Sequence, residues 1–339
     1  MIGKLDPAVL SRILSRTGAE NPDVITGAAY GEDAAAIDLG EETLVVSSDP
    51  ISLAAESAGT LGVHIAANDV AASGADPEFL TNVIFLPDDD QDMLDTLTTQ
   101  LDAAAKSIDV AIVGGHTEYL SELSRPTLSL TCLGRTDQYV PTGGVSVGDR
   151  ILLTKGAAIE GTAILASDFA STLRDRGVDE DVIDIATGFF AEISVLPESR
   201  ISREHASAMH DPTEGGVRAG LVELAEASGV DLSIERDRVP IRPETETICA
   251  AMGVDPLAIF GSGALLIAVA PSEAEMVVSA LADASIDAAT IGHAIDSADG
   301  DREGTDAEGT DEPDGALVLD GERIADPGRD ELYPLWEYT

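Results

Sequence analysis

The chain has 339 residues, 44% of them apolar, which is enough to fill two ordinary domain cores. It carries 63 acidic against 19 basic residues, a formal charge of −44. A field of that sign repels phosphate backbones and anionic lipid, which excludes nucleic acid and membrane surfaces as partners. No run of eighteen apolar residues occurs, and the opening MIGKLDPAVLSRILSR has the spacing of an amphipathic helix rather than a signal peptide, so a cytoplasmic location is expected.

Only Lys4, Lys106 and Lys155 are lysines; the remaining sixteen of the 19 basic residues are arginines. At molar salt the screening length falls to about 3 Å and such a coat becomes tolerable, so the composition is that of a protein adapted to concentrated salt. Cys132 and Cys249 lie in separate apolar stretches, which predicts buried free thiols rather than a disulfide or a zinc site.

In chain order, strand-length apolar runs at 43–48 (TLVVSS), 109–115 (DVAIVGG), 127–134 (TLSLTCLG) and 150–154 (RILLT) alternate with helical patterns near 61–75 and 89–107. The pattern breaks into glycine and proline around PTGGVSVGDR (141–150), which places a boundary between domains at 1–145 and 146–339. Helices are expected at 159–170, 181–193, 215–228 and 273–284, with strands at 231–236 and 263–270 between them. The stretch 297–315 is almost devoid of apolar residues and reads as an acidic, solvated loop before the short strand ALVL. The alternation makes the fold α/β or α+β.

Five carboxylates stand beside small residues at the ends of apolar runs, where strands deliver side chains to clefts: Asp33, Asp49, Asp69, Glu118 and Asp211. A chain this acidic holds a triphosphate only through intervening cations, and magnesium takes carboxylate and phosphate oxygens together. The glycine pairs in VGGHTE and DPTEGGV leave backbone N–H groups open, and a helix starting after them receives phosphate. There is no GxxxxGK[ST] and no GxGxxG after a strand, so P-loop and dinucleotide folds are unsupported. Lys155, kept at a strand end in a lysine-poor chain, is a candidate phosphate or substrate contact, with a solvated loop lysine the alternative. His116 and His210 lie inside the candidate loops and are candidates for proton transfer. No histidine pair has zinc-site spacing.

Taken together and in order, YGEDAAAI, SSDP, HIAANDVAASGADP, VGGHTE, HDPTEGGV and FGSGALLIAV resemble the motifs of the aminoimidazole ribonucleotide (AIR) synthetase superfamily, over residues 31–270. The closest likeness is to its hydrogenase-maturation branch, HypE; thiamine-monophosphate kinases are further members. The resemblance implies a two-domain chain whose N-terminal mixed sheet pairs with its twin in a barrel-like homodimer, followed by a C-terminal α/β domain. It implies that Asp33, Asp49, Asp69 and Glu118 hold magnesium, and that Asn68, Gly114, Gly115 and Thr117 contact ATP and its phosphates. Asp211, Thr213, Gly215 and Gly216 would face the substrate, with Asp69, Asp211, His116 and Lys155 as the catalytic set.

The implied activity is ATP- and magnesium-dependent phosphoryl transfer to, or phosphate activation of, a small metabolite or a modified protein group. The alternatives are a thiamine-monophosphate-kinase-like kinase and a non-catalytic ATP-binding sensor or maturation scaffold. The sequence departs from the family in three places. Glu32 replaces the usual Asp, no cysteine follows Cys249 to carry a carbamoyl group on the chain's own tail, and no reactive cysteine precedes Cys132, as selenophosphate synthesis would need.

Overall fold

The computed structural model describes Gly3, Leu5 and residues 7–52, 57–297 and 315–337. The acidic stretch 297–315 therefore lies, apart from its end residues, outside the described residues.

After helix α1 (Pro7–Leu14), the first half runs β1 (Val24–Thr26), β2 (Ala35–Asp38), β3 (Thr43–Ile51), α2 (Ala58–Ala72), β4 (Asp76–Leu86), α3 (Gln91–Ser107), β5 (Ala111–Tyr119) and β6 (Thr127–Thr136). These strands form one mixed sheet in the order β1-β2-β3-β6-β4-β5. β6 alternates buried and part-exposed positions along its length, the period-2 signature of a sheet with one covered face. The covering helix is α2, whose residues are buried on nearly every side because it lies between this sheet and the second half of the chain. Gly62 permits that close approach, since a Cβ there would lie 2.6 Å from a Leu130 methyl. Outside α2 packs α3, which buries only Leu97, Leu101, Ala104 and Ala105 and starts at a capping Asp90 whose carboxylate accepts from Met93 N.

The second half continues with β7 (Arg150–Thr154), α4 (Ile159–Asp168), α5 (Ala170–Asp175), α6 (Glu180–Thr187), α7 (Leu196–Ser202), β8 (Ala206–His210), α8 (Gly216–Ser228), β9 (Asp231–Ile234), α9 (Pro243–Met252), β10 (Leu266–Val269), α10 (Ala274–Asp283), β11 (Ala288–Ile295), β12 (Leu317–Leu319), β13 (Glu322–Ile324) and α11 (Tyr333–Glu337). Its sheet has the order β13-β12-β9-β11-β7-β10-β8. β7 and β10 are buried almost throughout, as central strands covered on both faces are. One apolar core runs from the first sheet through α2 into Val195, Leu196, Met209 and Ile267 of the second half. The two halves are thus joined by packed side chains.

Several elements differ from the sequence expectation. β4, with Asp76 and Pro77 at its start, is an interior strand between β6 and β5, and β11, rich in Ala and Gly, is an interior strand between β9 and β7. Neighbouring strands supply the hydrogen bonds and burial that their composition does not advertise. β5 runs on through Gly114 to Tyr119 instead of ending in a loop, because parallel pairing with β4 continues to Leu86.

Candidate active site

Asp49, near the end of β3, and Asp69, on the inner face of α2, meet at one hydroxyl. Ser47 Oγ lies 2.7 Å from Asp49 Oδ2 and 2.6 Å from Asp69 Oδ2. Strand alternation explains the triad: Ser47 and Asp49 are two residues apart and share the sheet face on which α2 lies. Asp69 is 4% exposed, and burial, then Asp49 and Asp33, push its carboxyl well above the usual range. Burial also raises Asp49, eased by its hydrogen bonds to Asp69 and Ser47.

From the second half, His210 and Asp211 at the end of β8 close on the same place. The Asp211 N–H donates to Asp33 Oδ2 at 3.3 Å. His210 Nδ1 lies 2.8 Å from Asp33 Oδ2 and its Nε2 3.0 Å from Glu223 Oε2. Burial alone would favour the neutral ring, but Asp33 and Glu223 outweigh it and push His210 up to about 10. Held between Asp33 and Glu223, the ring is placed to orient Asp33. Asp211 is fully buried and no donor meets hydrogen-bond geometry at either of its carboxyl oxygens; the Asn68 amide is near enough only to ease the charge. Burial, and next Asp33, raise its pKa. Glu32 is raised by burial and then by Asp33, with relief from His210 and hydrogen bonds at Thr142.

The structure brings Asp33, Asp49, Asp69 and Asp211 together and leaves other expected residues elsewhere. Glu118 and His116 pair with each other at 3.1 Å on the exposed β5. Registry runs from Asp49 to Leu130 to Asn82 to Gly115, three strand spacings or roughly 14 Å across the sheet. Gly114, Gly115 and Thr117 lie within β5, so no helix N-terminus follows them. Gly115 is needed where β5 hugs β4, since a Cβ there would sit 2.2 Å from Asn82 O.

α8 does start after DPTEGG, but the N–H groups of Gly215, Gly216 and Arg218 are taken by Asp330 Oδ2, Thr213 O and Leu257 O. Its N-terminus is thus largely satisfied by the chain itself. Asn68 clamps the two halves, donating to Ile193 O at 2.9 Å and accepting from Val195 N at 3.0 Å. Lys155 is neither a phosphate contact nor a solvated loop residue. Its ammonium donates to Glu192 O and Ser194 O at 2.8 and 2.7 Å and lies 2.7 Å from Oε1 of buried Glu198, which balances its charge.

Sequence reasoning did not single out Ser47, Glu160 or Glu223. The available signal was chemical incongruity, a lone carboxyl inside an apolar helix in AAIEGTAIL and in GLVELA.

The carboxylates, with Ser47, form an all-oxygen set, which suits magnesium and not zinc or copper. Among the described residues no group of three histidine, cysteine or acidic side chains forms a ready metal cage. Magnesium does not require one, because it keeps waters and completes its shell with phosphate oxygens. The donorless buried oxygens of Asp211 and the Asp49–Asp69 pair fit a cation brought in by a phosphate ligand.

The chain is a two-domain α/β protein in which buried carboxylates of both halves meet at the junction. The chain belongs to the AIR synthase-related family: residues 31–136 match the model of the AIR synthase related protein N-terminal domain and 146–304 that of the C-terminal domain. It is 30% identical over 258 residues to a putative hydrogenase expression/formation protein of Methanocaldococcus jannaschii, covering 72% of this chain and 73% of that one. It is 27% identical over 286 residues to the carbamoyl dehydratase HypE of Escherichia coli, covering 79% and 82%. Among solved structures, AaThiL complexed with AMPPCP and TMP superposes with a TM-score of 0.71 at 17% identity over 96% of this chain and 95% of that one.

Proposed function

We propose that this chain is an ATP- and magnesium-dependent enzyme that transfers phosphate to, or activates by phosphorylation, an oxygen of a small molecule or a protein-borne group. The observation that carries the reading is the Asp49–Ser47–Asp69 triad facing Asp33 and the donorless Asp211 across the junction. The named activity of the HypE relative, carbamoyl dehydratase, and the AMPPCP held by AaThiL lend it support.

Asp49 and Asp69 would hold magnesium, which supplies neutralisation of phosphate charge when bound. His210, 2.8 Å from Asp33 Oδ2, fixes Asp33 on the side of the second half. Asp211, buried directly after β8, would face the reacting group. The chain's own contribution is position and electrostatics.

The working form is a homodimer joined through β5. Every residue of this edge strand is exposed, including Ile112 at 40%, Val113 at 59% and Tyr119 at 58%. An unpaired apolar edge of this length invites pairing with another chain. Such pairing makes Glu118, Thr117 and His116 contributions to the site from the β5 seam. The acidic surface fits the enzyme to a salt-rich cytoplasm.

Isothermal calorimetry of ATP with magnesium tests the reading. Wild type is expected to bind, and Asp49→Asn to lose at least tenfold in affinity; unchanged binding by the variant would remove the triad from the nucleotide site.

A further inference from the structure

A cavity of about 280 Å³ opens beside Asp49, between α2 of the first half and α4 of the second. One side is apolar, formed by Leu61, Ile65, Ile164 and Phe260. Glu160 and Ser262 stand at its polar side, held as neighbours by the bond from Glu160 N to Ser262 O at 3.2 Å. Glu160 is 3% exposed and Ser262 fully buried; no partner meets hydrogen-bond geometry at Glu160 Oε2 or Ser262 Oγ, and Ser262 is near enough only to ease the Glu160 charge. Buried polar atoms without partners are rare in folded chains and are expensive to keep, so two of them lining one cavity mark a place where a ligand supplies the missing bonds. Neither residue belongs to the Asp49–Asp69 triad or to the Asp33–His210–Glu223 chain.

The lining also limits what that ligand is. Asp49, Glu160 and Glu214 are all acidic, and among the described residues no lysine, arginine or histidine lines the cavity. Without a metal at Asp49 an anionic group is disfavoured, and the apolar side requires a hydrophobic body.

We propose that this cavity is the subsite for the phosphoryl acceptor, a small molecule with an apolar body and a cationic nitrogen, amine or amidine, that pairs with Glu160 and accepts or donates a hydrogen bond at Ser262. The word acceptor rests on the function proposed above; the preference for a nitrogen cation rests on the cavity alone. Burial pushes the Glu160 carboxyl up to about 8; Ser262 opposes the rise, and Glu214 and Asp330 add to it. Asp211 also lies within electrostatic reach of Glu160. A bound cation reverses that balance, so its capture below pH 8 ionises Glu160 and releases a proton.

The probe is benzamidine, compared with neutral benzamide and anionic benzoate of similar shape, by calorimetry on the full chain in molar potassium chloride. The salt screens the outer acidic coat. Benzamidine is expected to bind at least tenfold more tightly than the other two and, at pH 7 in buffers of different ionisation enthalpy, to release close to one proton. Glu160→Gln should weaken it at least tenfold and abolish the release, and Ile164→Trp, which fills the cavity, should also abolish binding. Circular dichroism checks the fold of both variants, and Glu160→Asp, which keeps the charge, should retain the order of the three probes.

Equal binding of the three probes, or undiminished benzamidine binding by folded Glu160→Gln, would overturn the proposal. Displacement of benzamidine by ATP and magnesium would overturn it as well, since the cavity would then be the nucleotide's own. Failure of ATP to bind at all would sink the function proposed above while leaving the cation preference to be judged by the three probes.

Discussion

Replacing Asp69 by asparagine should stabilise the metal-free protein and at the same time remove its response to ATP and magnesium. A hydroxyl has one hydrogen, yet Ser47 Oγ lies within 2.7 Å of both Asp49 and Asp69. Without a cation, one of the two carboxyls has to carry a proton for both contacts to be hydrogen bonds. Burial, followed by Asp49 and Asp33, raises Asp69. A raised native pKa contributes stability that is complete below the unfolded value near 3.9 and is lost as pH climbs through the native value, at about 1.4 kcal/mol per pH unit.

Asparagine keeps the shape, carries no charge and donates to Ser47. The gain at pH 7 should be about 1–2 kcal/mol, the size that relief of a single local conflict delivers. For a chain of 339 residues that raises the unfolding midpoint by roughly 1–3 °C. Wild type, by contrast, gains about 2.7 kcal/mol from ligand at a hundred times its Kd, and the variant should gain none. Thermal unfolding by circular dichroism in molar potassium chloride, first with EDTA and then with ATP and magnesium, reads both effects. A variant less stable than wild type in EDTA, or one that keeps the full ligand shift, would refute the reasoning.

Four further outcomes follow from other parts of the molecule. If β5 forms the proposed dimer seam, Val113→Lys on its open edge should leave the fold intact and give a monomer with weakened ATP binding where wild type is a dimer, read by light scattering and calorimetry. Lys155→Met strands Glu198, which is wholly buried, and should cost about 3–5 kcal/mol in denaturant unfolding; turnover per folded molecule should change little. Asp330, raised by burial to about 7 although Gly215 and Leu332 donate to it, contributes stability at low pH that fades as pH rises through 7. Asp330→Asn should therefore flatten the dependence of the unfolding midpoint on pH between about 4 and 7 by up to 1.4 kcal/mol per unit. Finally, lowering salt towards 0.1 M lengthens screening to about 10 Å, and the −44 chain should lose its unfolding transition there while keeping it in molar potassium chloride.

The parts of the fold legible in the sequence were those with strong local periodicity. β3, β6 and α3 lie where apolar alternation or helical spacing put them, because each keeps one covered face, and β7 lies where a continuous apolar run put it, because both its faces are covered. β4 and β11 were not legible: Asp76 and Pro77 begin one, alanine and glycine fill the other, and both owe their existence to strands distant in sequence. At the site, the carboxylates beside small residues were readable as candidates, and Asp33, Asp49, Asp69 and Asp211 do converge. What one chain's sequence cannot display is which partner a side chain finds. Lys155 has the strand-end position of a phosphate contact but closes on Glu192, Ser194 and Glu198. His210 has the loop position of a base but is held between two carboxylates. Glu118 sits on a strand whose other edge is open.

The central claim, phosphoryl transfer from ATP, is tested most directly by following ADP. Purified protein in molar potassium chloride with ATP and magnesium is compared with and without a fractionated extract of small metabolites and proteins. ADP is expected only with a fraction that contains the acceptor, and to disappear in Asp69→Asn. Tight ATP binding with no nucleotide product in any fraction would contradict the enzyme and leave a nucleotide-sensing or scaffold protein in its place.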